Sequence, residues 1–222
     1  MKIATLLLLL LAALAALAMP AAAAITPAQQ ATLDRAVVDH AEGRLDAARR
    51  AFEALARAGV PAAAHNLGIM HLDGQVPGAS LPQAQRWLEQ AAAGGFVTAQ
   101  MALGQLHESG RLGRRDLVTA HRWYEQAAAG GSVDAQVAAG TAYYLGRGAP
   151  KSPADAVRWF REAAKGGDVG AQYLLASMYE QGDGVARDLR LARYWYDIAA
   201  KNGDEAAPGK LREVDAKLAA GA

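Results

Sequence analysis

Small and apolar residues return along the chain at an interval of 36 residues. All four tryptophans keep this interval, and each is followed by a large apolar residue and then by a pair of alanines. The tryptophans are Trp87, Trp123, Trp159 and Trp195. A packing unit that repeats at a fixed period is the signature of a solenoid, so the pattern predicts four stacked copies of one unit.

Each copy is predicted to contain two helices. In the fourth copy, apolar residues keep helical spacing from Ala171 to Glu180, and the run ends at Gly182. A second helix follows, after a residue whose side chain can accept hydrogen bonds from the free N–H groups of a helix start. These N-cap residues are Ser80, Asp116, Ser152 and Asp188. Glycine pairs such as Gly94-Gly95 end the second helix, because glycine tolerates the left-handed conformation found after many helices.

Small residues inside the first helix of each copy indicate close packing. Gly68, Gly104 and Gly140 share one repeat position with Ala176. Glycine inside a helix costs about 0.5–1 kcal/mol relative to alanine, so its recurrence predicts a close approach that a larger side chain would block. The tryptophan and the residue after it are expected to fill the space between helix pairs. The sequence therefore predicts an all-α fold, a right-handed α/α superhelical solenoid.

The consensus of the copies is A-x-x-x-L-G-x-x-Y-x-x-G, then G-V-x-x-D, then A-x-x-W-Y-x-x-A-A-x-x-G. It resembles the Sel-one-like repeat, a relative of the tetratricopeptide repeat with a longer internal loop. The fourth copy keeps Tyr179, Val185 and Tyr196 at the family positions, whereas His71 and His107 stand where the family has tyrosine. The resemblance implies a solenoid of helix pairs with a concave and a convex side.

Four Sel-one-like units are expected in residues 63–204. Their boundaries are residues 63–98, 99–134, 135–170 and 171–204. Residues 25–60 are interpreted as a degenerate tetratricopeptide-like helix pair, because two helical runs are broken near Gly43 without a long loop. Residues 205–222 are more polar and are expected to form a capping helix with one face in water.

Residues 1–24 carry the pattern of a secretory signal peptide. Lys2 precedes an apolar stretch, residues 3–19, and the alanines that follow Pro20 offer an A-x-A type cleavage site near Ala24. The mature protein is therefore expected in the bacterial periplasm or secreted beyond the cell. The alternative is a retained membrane anchor, since the stretch is nearly long enough to span a bilayer.

Charge and cysteine content narrow the function classes. The 23 Lys and Arg residues nearly balance the 22 Asp and Glu residues, so the chain lacks the basic excess of a nucleic-acid binder. It has no cysteine, so an exported form must be stabilised by helix stacking without disulfides. Arg111, Arg114 and Arg115 cluster in one internal loop, which is interpreted as solvated although it could contact an anionic partner.

No group of residues predicts catalysis, a cofactor or a metal. His71 and His107 share the repeat position of Tyr143 and Tyr179, so they are expected to fill a packing slot. The remaining histidines have no evident nucleophile or second ligand beside them. They are His40, His65 and His121. Some exported relatives are linked to β-lactam binding or hydrolysis, so a weak β-lactamase-like activity or peptidoglycan binding is the alternative function.

The favoured function is an exported, non-catalytic scaffold that binds a peptide or protein partner. In related α/α solenoids the first helix of each pair lines the concave side, where Met, Tyr and Gln side chains suit a peptide or a protein tail. The residues of this concave surface are Met101, Gln105, Glu108, Val137, Thr141, Tyr144, Tyr173, Ser177 and Glu180. Nucleic acid and stable membrane insertion after signal cleavage are not expected.

Overall fold

A computed structural model describes residues 24–221 of the chain. These residues form eleven helices and no strand. The helices are α1 (Pro27–Ala41), α2 (Leu45–Arg57), α3 (Pro61–Leu72), α4 (Leu81–Ala93), α5 (Val97–Ser109), α6 (Leu117–Ala129), α7 (Val133–Leu145), α8 (Pro153–Lys165), α9 (Val169–Gln181), α10 (Leu189–Lys201) and α11 (Ala207–Ala219). Of the predicted signal peptide only Ala24 is described, so the cleavable segment itself lies outside the described residues.

The helices stack in the order in which they follow one another along the chain. The extensive helix–helix contacts in the described part all join consecutive helices, from α1 with α2 to α10 with α11. Five pairs result, and α11 closes the end of the stack against α10. The predicted all-α solenoid is therefore confirmed.

The predicted N-caps are confirmed at the start of the second helices. Each cap side chain accepts a hydrogen bond from a backbone N–H in the turn that follows. The caps are Ser80, Asp116, Ser152 and Asp188. The first helices α5, α7 and α9 end at glycines with φ of 76°, 69° and 77°, in the left-handed region. These glycines therefore end the first helix at the same repeat position in these three copies.

The residue that follows each tryptophan forms the centre of the core. These residues are Leu88, Tyr124, Phe160 and Tyr196, and all are at most 5% exposed. The tryptophans themselves are only half-buried, so the two positions do not share the space between helix pairs equally. A Cβ atom on Gly140 would lie 2.8 Å from the Phe160 ring, and one on Gly68 would lie 2.8 Å from Leu88 Cγ. The repeated glycine thus makes room for the buried side chain, as its position predicts.

A ladder of buried glutamines joins successive repeats. The Gln100, Gln136 and Gln172 side chains each donate a hydrogen bond to a backbone carbonyl at the end of the preceding second helix. The acceptors are the carbonyl oxygens of Ala92, Ala128 and Ala164, at 3.3, 3.2 and 3.2 Å. Each of these carbonyls also accepts a turn hydrogen bond from a glycine N–H, so the glutamine adds a second bond that joins two repeats and stabilises their junction.

Candidate partner-binding surface

The predicted concave surface is formed by three positions on each of α5, α7 and α9. Within a helix these positions are four and three residues apart, so they lie on one helix face. Met101, Val137 and Tyr173 form the first row; Gln105, Thr141 and Ser177 form the second; Glu108, Tyr144 and Glu180 form the third. All except Glu180 are exposed or half-buried. Their role in binding stays a prediction.

The first row is anchored in the core. Val137 and Tyr173 pack against the buried cluster around α8 to α11, and Met101 packs against a small alanine cluster between α6 and α7. Only the outer part of each side chain meets solvent. This row therefore forms an apolar floor, while the second row supplies the polar groups of Gln105, Thr141 and Ser177.

Two tyrosines of this surface are held by buried aromatic rings. Tyr144 meets Phe160 edge-on with the ring centroids 6.5 Å apart, and Tyr173 meets Tyr196 edge-on at 5.3 Å. Such edge-to-face pairs contribute about 0.5–1.5 kcal/mol beyond the area they bury. Because both rings are already oriented, they lose little conformational freedom when a partner binds.

Glu180 departs from the predicted surface because its side chain is committed within the fold. Its residue is 8% exposed, and its carboxylate accepts hydrogen bonds from the Tyr196 hydroxyl at 2.9 Å and from Lys217 Nζ at 2.5 Å. Burial disfavours the charged form, but the bonds from Lys217 and Tyr196 outweigh it and hold the pKa of Glu180 below its ordinary value. Lys217 belongs to α11, which lies outside the repeats, so the repeat pattern gave no sign of this contact.

Three further residues occupy the same face on α3. His65, Ile69 and Leu72 lie 36 residues before the three positions of α5, and all three are half-buried. The His65 ring lies 5.0 Å from the ring of Phe96, measured between centroids. The predicted surface omits these residues, although the period of 36 places them on it.

A cavity of about 170 Å³ opens between α5, α6 and α7. Two surface residues, Glu108 and Thr141, stand in its wall together with Arg115 and Arg147. We call this space the Arg115–Arg147 cavity. Arg111, Arg114 and Arg115 are exposed, as expected for a solvated loop, and Arg115 also lines this cavity.

The Glu108 carboxylate is positioned by a hydrogen bond from a core tyrosine of the following helix. The Tyr124 hydroxyl donates to Glu108 Oε2 at 2.6 Å. Burial of the ring, together with this bond to a carboxylate, raises the pKa of Tyr124 well above its ordinary value, so the hydroxyl keeps its proton. Glu108 is exposed, unlike Glu180 at the equivalent position.

Packing, burial or a hydrogen bond accounts for most of the histidines. His121 is 5% exposed and meets Tyr143 edge-on with the ring centroids 4.8 Å apart, and burial lowers its pKa. Burial also lowers the pKa of His71, and His40 Nε2 lies 2.8 Å from Gln75 Oε1. Among residues 24–221 no three His, Cys, Asp or Glu side chains are grouped so that they could hold a metal ion. None of the helices in this range is long and apolar enough to cross a bilayer.

Comparison with known proteins agrees with this architecture. The family model of the Sel1 repeat matches four consecutive segments, residues 61–96, 97–132, 133–168 and 169–204. A search of curated proteins found no match. The matched segments begin two residues before the units drawn from the alanine pattern, and each begins at the first residue of a first helix.

Solved structures are similar to the chain over most of its length. A Sel1 repeat protein from Oxalobacter formigenes is 28% identical, covers 82% of this chain and 74% of its own, and superposes with a TM-score of 0.73. A protective antigen of uropathogenic Escherichia coli strains, which displays an SLR fold, is 33% identical over 73% of this chain with a TM-score of 0.64. This chain corresponds to only 35% of the length of that antigen.

Proposed function

Because the chain belongs to the Sel1 repeat family, we propose that it is an exported, non-catalytic scaffold that binds a peptide or protein partner on its concave surface. Sel1 repeat proteins generally mediate protein–protein interactions. The proposal adds the exported location, the surface that binds and the absence of catalysis in this chain.

The observation that carries the proposal is the contrast between the repeated core and the varied surface. The core residues that follow each tryptophan are buried in every repeat. The nine surface positions, by comparison, differ from one repeat to the next, except that Glu108 and Glu180 share one residue type. The oriented rings of Tyr144 and Tyr173 add apolar contact area beside the polar groups of Gln105 and Thr141. An apolar floor with adaptable polar groups suits an extended segment of another chain.

Replacing Tyr144 and Tyr173 with alanine together is the test of the binding surface. We expect partner binding to fall at least tenfold, because each ring is an oriented anchor of the kind that dominates binding energy at interfaces. Partners captured by cross-linking in the exported compartment are quantified by mass spectrometry for the parent and the double variant. Tyr194→Ala on α10 is the control, since this tyrosine is 54% exposed and lies on a second helix. Unchanged capture of every partner by the double variant would contradict the concave assignment.

Export is proposed from residues 1–24 and would place the mature start beside the first helix. Thr26 caps α1 through a reciprocal pair of hydrogen bonds with Gln29, so the helix starts without help from residues before Ala24. Sequencing the N-terminus of the protein recovered from the exported fraction should find Ile25 first. A mature chain that still begins at Met1 would favour the membrane anchor.

Absence of catalysis is proposed because the buried titratable groups are used in packing. Glu180 is bonded to Lys217 and Tyr196, and His121 packs on Tyr143. Within residues 24–221, neither group hydrogen-bonds to a serine, threonine or cysteine side chain, as activation of a nucleophile needs. Turnover of a chromogenic β-lactam above the rate in buffer would contradict this part of the proposal.

A further inference from the structure

The Arg115–Arg147 cavity lies where the second and third repeats meet. Leu117, Ala120 and Ala142 line its apolar part, and the polar groups lie around them. Its volume of about 170 Å³ is on the scale of a single side chain, so the space suits one side chain of a partner.

Two arginine side chains supply the positive charge of this cavity. Arg115 comes from the loop between α5 and α6, and Arg147 follows the end of α7. Neither guanidinium forms an ion pair with a carboxylate within residues 24–221. Arginines placed on two neighbouring repeats, with their donors uncommitted, can both reach a group that enters between them.

The other polar residues of the wall set the charge that a ligand must carry. Glu108 is the acidic residue of the wall, and its Oε2 is occupied by the Tyr124 hydroxyl. His121 also lines the cavity but is buried, which disfavours its charged form. Two arginines against one glutamate leave an excess of one positive charge, which a single carboxylate neutralises. A phosphate, with nearly two negative charges, would exceed this excess and be repelled by Glu108 more strongly than a carboxylate is.

We propose that the Arg115–Arg147 cavity binds the carboxylate of an aspartate or glutamate side chain in an extended segment of the partner. The guanidinium fork matches a carboxylate with two parallel hydrogen bonds, which gives both strength and orientation. Repeats continue on both sides of the cavity, so a segment lying along the concave surface crosses it with an internal side chain. This inference rests on the proposed function and adds the chemistry of the partner.

A random twelve-residue peptide library displayed on phage provides the probe. Peptides are selected on the parent protein at low salt, synthesised, and their affinities measured by fluorescence anisotropy. We expect the selected peptides to share one acidic position, and its conversion to the amide (Glu→Gln or Asp→Asn) to weaken binding about 10- to 100-fold, as for loss of a charged hydrogen bond. Arg115→Gln and Arg147→Gln should weaken binding by a similar factor. Arg114→Gln, in the same loop but outside the cavity wall, is the matched control and should bind like the parent.

Combining a change in the protein with a change in the peptide tests whether the arginine and the acidic residue contact each other. On the Arg147→Gln protein, converting the acidic residue to its amide should cause little further loss, because both changes remove the same interaction. Selected peptides that lack an acidic residue, or that bind the arginine variants like the parent, would overturn the carboxylate site. If such peptides still lose binding to the Tyr144→Ala and Tyr173→Ala variant, the proposed function stands without the inference. Recovery of no peptide above background would contradict both.

Discussion

Replacing Phe160 with alanine is expected to lower the free energy of unfolding by about 3–5 kcal/mol, as for other buried aromatic residues. Phe160 is 1% exposed and supports both Gly140 of the preceding helix and the ring of Tyr144. Denaturation in urea, followed by circular dichroism, measures the change. A loss below about 1 kcal/mol would show that the side chain after each tryptophan does not form the core of the stack.

The same experiment can test the fit between Phe160 and Gly140. In the parent protein, Gly140→Ala should destabilise by about 1–3 kcal/mol, because the new methyl group would lie 2.8 Å from the ring. In the Phe160→Ala background the same change should stabilise by about 0.5–1 kcal/mol, since only the helix preference of alanine remains. Gly170→Ala on α9 is the control: the nearest atom to its Cβ is 3.4 Å away, and its effect should be the same in both backgrounds. Additive effects of Gly140→Ala and Phe160→Ala would contradict the contact.

Replacing Glu180 with alanine is expected to destabilise the protein by about 2–3 kcal/mol, because Tyr196 and Lys217 both lose their acceptor. Glu108→Ala is the matched control. Glu108 occupies the same repeat position and accepts the equivalent bond from Tyr124. It is exposed and has no lysine partner among the described residues, so its replacement should cost about 1 kcal/mol. Equal losses in the two variants would show that Lys217 does not stabilise the end of the stack.

The contribution of Glu180 should also depend on pH. Its pKa is lower in the folded protein than its ordinary value of 4.5, so the folded state favours the charged form. The stabilisation is therefore fully present above 4.5 and is lost as the pH falls through the lower, folded pKa. Unfolding free energies measured between about pH 7 and pH 3 should converge for the parent and Glu180→Gln. A difference that stays constant over this range would contradict the charge-based account.

Much of the fold could be predicted from the sequence because the same packing positions carry similar residues in all four repeats. The caps at Ser80 and Asp116 and the mid-helix glycine at Gly140 follow from local rules that a single helix obeys. The glutamines Gln100, Gln136 and Gln172 also recur at the period of 36, but the repeat pattern alone did not single them out. Their chemistry becomes apparent only when each side chain meets the carbonyl of another helix.

The candidate site could be predicted only in part. Arg115 and Arg147 occupy different repeat positions, so no column of the repeat pattern joins them. They line one cavity because neighbouring repeats stack with the loop of one beside the end of α7. Glu180 was expected at the surface because the repeat pattern does not include α11. The equivalent residue on α5, Glu108, is exposed, but at the end of the stack Lys217 of α11 contacts Glu180.

Site-specific photo-crosslinking tests most directly the claim that a partner binds along the first helices. A photoreactive residue is placed at Gln105 or Ser177, which share one position on the first helices, and at Gln126 or Glu162, which share an exposed position on the second helices. If the partner lies along the first helices, Gln105 and Ser177 should give adducts with the same partner, and Gln126 and Glu162 should give none. Adducts that form only from Gln126 and Glu162 would contradict the claim.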